Sequence, residues 1–142
     1  MTLTIVTLEL SVHTNAEGDI LDITDQVSAR IAESGLKNGV ATIFVEGSTA
    51  ALTTIEYETG LLKDFRDMLD RLVPKELEYE HEKRWHDGNG HSHVRASLIG
   101  PDLTIPFSNG KLMLGVWQRI ALVELDTHSR NRNLALSIIG EQ

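Results

Sequence analysis

Residues 79–95 read YEHEKRWHDGNGHSHVR and hold four of the six histidines of the chain, His81, His86, His91 and His93, within thirteen positions. Imidazole is the commonest side-chain metal ligand and the one that titrates near neutral pH. Such crowding beside Gly88-Asn89-Gly90 is hard to explain by core packing, so the segment reads as a site. If residues 91–99 form a strand, His91, His93 and Arg95 line one face while Ser92, Val94 and Ala96 line the other, because side chains two apart point the same way. Two imidazoles so placed can share a zinc ion at about 2.0–2.1 Å each. Arg95, one step further, can fork onto a carboxylate or phosphate held at that ion. His81, upstream of the turn, is free to fold back as a third ligand, whereas His86 sits mid-loop beside Trp85. The competing reading is a hydrophilic loop whose imidazoles bond backbone and water. For the isolated His13 and His128 that blander reading is preferred.

A second constellation runs from Glu46 through Gly47, Ser48, Thr49 and Ala50 to Glu56 and Glu58. A Gly-Ser-Thr step at a strand end exposes backbone N–H groups and two hydroxyls, which suits an anion. Glu56 and Glu58 alternate onto one face of a short strand and can supply a carboxylate ligand or a general base. A plain turn followed by a solvated strand face is the alternative. A cupin-type metal motif, which also opens with His-x-His, is excluded: it needs a glycine at position 85 and a glutamate near 97 or 98, where this chain has Trp85, Ser97 and Leu98.

The elements that must position these groups fit one domain of 142 residues, long enough for a core without staples. There is no cysteine, which removes disulfides, thiolate zinc sites and a thiol nucleophile, so any metal is held by nitrogen and oxygen. The formal charge of −8 argues against nucleic-acid binding. Within residues 81–95, however, Lys83, Arg84 and Arg95 outnumber Glu82 and Asp87, a patch suited to a small anionic ligand. The opening MTLTIVTLELSV has no basic leader and is too short to span a bilayer, so a cytoplasmic protein without membrane partner is expected.

Residues 2–13 read as a strand and Ala16-Glu17-Gly18-Asp19 as a turn. A helix capped by Asp22 or Thr24 follows, with Ile23, Val27 and Ile31 on one face and Gly35 at its end. Asn38-Gly39 is read as a turn into the strand VATIFVE (40–46). Leu61, Leu62, Phe65, Met68, Leu69 and Leu72 mark a second, amphipathic helix that Pro74 ends. Strands then follow at 91–99, 103–107, 111–114, 117–125 and 132–139, with a hairpin signal at Asn109-Gly110. Two main helices beside many short strands indicate α+β with a largely antiparallel, sandwich-like sheet core.

GSTAALTTIE (47–56), Tyr79-x-His81, GHSHVRASLIG (90–100), LTIP (103–106), NGKLMLGVWQ (109–118) and LSIIG (136–140) occur in that order. Together they closely resemble the YjbQ family, described as secondary thiamine-phosphate synthase enzymes, over essentially the whole chain. The resemblance implies a cytoplasmic α+β homotrimer with a metal-binding histidine site. The activity it implies joins a phosphorylated thiazole to a pyrimidine diphosphate and releases pyrophosphate. His81 and His93 match the family histidines, Arg95 the basic residue after the second, and Glu56 the acidic residue after the Thr-rich run. Where many members read His-Thr-Thr-Ala this chain has Gly47, Ser48, Thr49 and Ala50, so His91 is expected to replace the missing histidine.

On this expectation His81, His91 and His93 bind a divalent metal, with zinc favoured by the ligands and magnesium by diphosphate chemistry. Glu56 and Arg95 are catalytic, Ser48 and Thr49 hold a phosphate, and Trp117 walls a heterocycle or lies at an interface or in the core. A metal-dependent hydrolase and a non-catalytic binding module are the rival readings.

Overall fold

The computed structural model describes residues 2–142. Its elements run β1 (Thr4–His13), β2 (Ile20–Asp22), α1 (Thr24–Ser34), β3 (Asn38–Glu46), β4 (Ala50–Glu56), α2 (Thr59–Leu72), α3 (Glu80–Trp85), α4 (Gly90–Ile99), β5 (Asp102–Ser108), β6 (Lys111–Leu112), β7 (Gln118–Glu124) and β8 (Asn131–Glu141). The strands form a five-stranded sheet in the order β1-β8-β3-β5-β6 and a three-stranded sheet in the order β2-β7-β4. Every pairing is antiparallel. The α+β, antiparallel architecture expected from the sequence is the one observed.

The smaller sheet is covered on both faces. Leu52, Ile120 and Leu122 pack with Ile43, Leu134, Leu136 and Ile138 of the larger sheet and with Val27 and Ile31 of α1. On the opposite face, Ile20, Ala51, Ala121 and Val123 meet Leu62 and Leu69 of α2 and Ala96 of α4. Burial on both sides makes β7 a nearly continuous apolar run instead of an alternating one.

Local chemistry explains most boundaries. Asp22 Oδ1 accepts from the backbone N–H of Thr24 at 3.0 Å and from its hydroxyl at 2.7 Å, fixing the start of α1. Gly35 closes that helix at φ 72°, a left-handed conformation that costs glycine little. Asn109 and Gly110, at φ 52° and 74°, form the tight β5–β6 hairpin that their pairing signals.

Three expectations are corrected. Asn38-Gly39 is not a turn but the start of β3, where Gly39 lies opposite Gly140. A Cβ on Gly39 would sit 2.0 Å from the Ile139 carbonyl oxygen, so glycine serves close strand approach there. The loop expected around His81 contains the short helix α3. Residues 91–99 are not a strand but helix α4. The buried positions of α4 are Gly90, His91, Ser92, Arg95 and Ala96, a helical spacing carried by small and polar residues. With no large apolar side chain marking that face, the accidental alternation of His, Ser, His and Val mimics a strand.

Candidate functional site

Two short helices build the histidine site. Tyr79 precedes α3 and anchors it by donating its hydroxyl to the Pro74 carbonyl at 2.6 Å. The chain leaves α3 through His86, left-handed at φ 56°, and Gly88 at φ 71°. It enters α4 at Gly90, whose N–H donates to Glu82 Oε1 at 2.6 Å. That bond ties the first turn of α4 to α3. Gly90 admits no side chain, because a Cβ would lie 2.6 Å from Tyr79 Cβ and 3.0 Å from Glu82 Oε1.

This joint brings the rings of His81 and His93 to 4.5 Å, centroid to centroid. His81 Nδ1 stands 3.4 Å from Glu82 Oε1 and 3.3 Å from Asp87 Oδ1. The three donor atoms of His81, Glu82 and Asp87 lie within 4.8 Å of one another. An ion about 2.1 Å from each of several tetrahedral ligands sets those ligands roughly 3.4 Å apart, which the two separations from His81 Nδ1 match. The set is partly exposed, with side-chain accessibilities of 29%, 30% and 50%, so a substrate could reach an ion held there. Burial opposes ionisation of the Glu82 carboxyl. Hydrogen bonds from the Gly90 N–H, the His81 ring and the Gly88 N–H outweigh it and hold the group below the usual carboxylate range.

His91 does not join this pair. On a helix, positions two apart point in nearly opposite directions, whereas His91 and Arg95, four apart, share a face. His91 is buried and its Nε2 donates to Glu17 Oε1 at 2.6 Å; Lys75 Nζ pairs with the other oxygen of Glu17. Arg95 is committed to structure, with Nε and a terminal nitrogen donating to the Val73 carbonyl at 3.0 and 2.8 Å at the C-terminal end of α2. It also meets Asp70 Oδ1 at 3.1 Å. The expected single-face triad of His91, His93 and Arg95 is thus split by the helix.

The remaining candidates are dispersed. Thr49 is buried, its hydroxyl donating to Asp126 Oδ2 at 3.1 Å and accepting from Arg132 at 2.9 Å, while Ser48 stays exposed beside it. Glu58 is not on a strand face with Glu56: it caps α2, accepting from the N–H of Gly60 at 2.7 Å and of Leu61 at 3.3 Å. Glu56 ends β4 and lines a surface recess with Tyr57, Val116, Trp117 and Arg119. Trp117 is 73% exposed, so it is no part of the core. The recess lies at the opposite end of β4 from Thr49, about 20 Å away along the strand.

A buried polar network escaped the sequence reading. Asp126 Oδ2 accepts from Arg130 at 2.7 and 3.0 Å, and Asp126 Oδ1 accepts from the Thr127 N–H at 2.8 Å and Asn89 Nδ2 at 3.3 Å. Glu124, fully buried, accepts from Thr14 at 2.7 Å and from Arg132. Through Asn89, the residue before α4, this network fixes the helix that carries His93. Two carboxylates interrupting the apolar run IALVELD, with Arg130 and Arg132 soon after, are the sequence signal for it.

The profile described as UPF0047 protein YjbQ-like matches residues 8–141. The chain belongs to the YjbQ family. A UPF0047 protein of Methanothermobacter thermautotrophicus is 39% identical over 96% of this chain and 94% of its own length. The UPF0047 protein YugU of Bacillus subtilis is 32% identical over 92% and 97%. The crystal structure of a YbjQ-like protein of unknown function from Sulfolobus solfataricus superposes with a TM-score of 0.92 at 35% identity, covering 99% of this chain and 100% of that one. The YjbQ fold therefore spans the described chain from β1 to β8. Among the described residues, no helix is long and apolar enough to cross a membrane.

Proposed function

We propose that this YjbQ-family protein is a divalent-metal-dependent enzyme acting on small phosphorylated metabolites, with the thiamine-phosphate synthase reaction implied by its family likeness. The observation that carries this reading is the convergence of His81 and His93 with Glu82 and Asp87 at the α3–α4 joint. Mixed nitrogen and oxygen donors suit zinc or a similar borderline ion better than magnesium. His81, Glu82 and Asp87 would hold the ion, with His93 beside them.

In the proposed reaction a nitrogen of the phosphorylated thiazole attacks the pyrimidine methylene carbon. The new C–N bond forms as the C–O bond to the diphosphate breaks, and the bond electrons leave with pyrophosphate. Bound metal would neutralise charge on that leaving group. The chain's own part is to orient both partners and hold the imidazoles ready to donate hydrogen bonds. Ser48, exposed near the buried Asp126 network, is the remaining hydroxyl of the Gly47–Thr49 step for a phosphate.

One observation favours the hydrolase reading as the second choice. Glu56 and Trp117 lie about 20 Å along β4 from the Thr49 end, so one subunit does not bring the aromatic wall to that end. Hydrolysis at a metal-bound water needs no such wall. A homotrimer, in which one subunit's recess can meet the next subunit's histidines, is part of the first reading.

Element-resolved metal analysis of native protein, alongside a His81→Ala/His93→Ala double variant, tests the site. Pyrophosphate release that requires both phosphorylated partners supports the transferase; cleavage of one phosphorylated partner alone supports the hydrolase. Stoichiometric metal with turnover of neither leaves a binding protein. No bound metal in native protein, with no gain on adding zinc, defeats the reading.

A further inference from the structure

On the other side of α4 from the histidine pair, a cavity of about 240 Å³ opens between α2 and the smaller sheet. That exceeds the roughly 150 Å³ of a cavity that takes up benzene, so a small organic molecule fits. Its floor is apolar: Ile20, Leu69, Val123 and Leu125 of the second core, with Phe65 as an aromatic side. Its mouth is charged. Lys75 is paired there with Glu17, and Arg95 with Asp70. Arg66 remains, without an ion-pair partner among the described residues. Its Nε donates to the Gly18 carbonyl at 2.7 Å, which holds the guanidinium over the opening.

We propose that this cavity is a binding site for a small monocarboxylate with an apolar body, the body on the Leu69–Phe65 floor and the carboxylate on Arg66. An apolar pocket with a few convergent polar groups is the usual form of a small-molecule site. The two internal ion pairs leave net positive charge at the mouth, which selects an anion over an amine. A planar carboxylate matches the remaining N–H fork of Arg66. The proposal is independent of the metal, because none of the cavity-lining residues is a metal candidate in the structure.

The test uses full-length protein titrated with phenylacetate and, separately, phenethylamine, followed by amide chemical shifts. Phenylacetate is expected to bind with a dissociation constant of about millimolar order, as befits so few atoms, and to shift Gly18, Arg66, Leu69 and Val123. Arg66 is exposed, so Arg66→Glu leaves the core intact. It should weaken phenylacetate at least about tenfold and reverse the preference toward phenethylamine. Leu69→Trp, which fills the floor, should abolish both. Phenethylamine binding native protein as tightly as phenylacetate, shifts confined to other surfaces, no response to Arg66→Glu, or no binding at about 10 mM would each overturn the proposal.

Discussion

His81 and His93 meet ring to ring at 4.5 Å although one belongs to α3 and the other to α4. Their contact depends on the Gly90 N–H bond to Glu82 that joins the two helices. Loss of the His81 ring should lower zinc affinity by at least about 100-fold, and loss of the His93 ring beside it by about 10- to 100-fold, the usual cost of a ligand's outer partner. Isothermal titration of His81→Ala and His93→Ala measures this. His91→Ala provides the contrast. Its ring is buried against Glu17, which keeps its pairing with Lys75, so the variant should keep native metal affinity while losing about 1–3 kcal/mol of stability with the hydrogen bond and the packed ring. A loss of metal binding in His91→Ala would restore it to the ligand set.

Gly90 offers a way to disturb the joint without touching a ligand. A methyl group there meets Tyr79 Cβ at 2.6 Å and Cγ at 2.9 Å, so α3 and α4 must move apart. Gly90→Ala is expected to reduce metal affinity about 10- to 100-fold, with a cooperative unfolding transition retained. An unchanged affinity would show that the site tolerates a looser joint than its geometry implies.

Most of the scaffold was legible because its signals are local. The fourfold spacing of Ile23, Val27 and Ile31 announces α1, and Asn109-Gly110 announces its hairpin. The site was legible only as a composition of residues. His81 and His93 do come together, but through helix α4, whose buried face is made of Gly90, His91, Ser92, Arg95 and Ala96. No hydrophobic periodicity can reveal such a face, and a one-element change of period sends His91 to Glu17. Arg95 and Thr49 suggest chemistry by their residue types alone. The partners that occupy them, Val73 and Asp126, are 22 and 77 positions away in sequence, beyond any local pattern.

Asp126 gives the fold an acid-sensitive point. Burial opposes its ionisation, but the Thr127 N–H, then Arg130, Asn89 and Thr49, hold its carboxyl far below the ordinary range. A depressed folded-state pKa contributes stability that is fully present above the unfolded value, about 3.9, and is lost as pH falls through the folded one. Glu17, lowered by Lys75 and His91 against the opposing effect of its burial, adds in the same direction. Urea midpoints should therefore fall from about pH 4 downward. In Asp126→Asn that fall should be shallower, with about 1–3 kcal/mol already lost at pH 7, because a neutral amide keeps one acceptor oxygen where the carboxylate offers two to its donors. A pH profile parallel to that of the native protein would remove Asp126 from this role.

The assembly proposed with the metal site makes a demand on the opposite end of β4. Val116 and Trp117 are 88% and 73% exposed, with Met113 at 62%. Large apolar side chains so close together on a monomer are unusual unless something covers them. Glu56, Tyr57 and Arg119 rim the same recess, supplying the polar border that interfaces commonly have. A subunit boundary there would bring Trp117 and Glu56 toward a neighbour's α3–α4 joint. That would supply the aromatic wall which one subunit alone keeps about 20 Å along β4 from Thr49. Sedimentation equilibrium should give a trimer for the native chain and smaller species for Val116→Glu, since a carboxylate in an apolar contact goes unpaired. Val116→Glu should keep the folded far-ultraviolet signature of the monomer, because its side chain supports nothing within the subunit. A trimer that survives this change intact would place the interface on another surface and leave Glu56 and Trp117 without a route to the histidines.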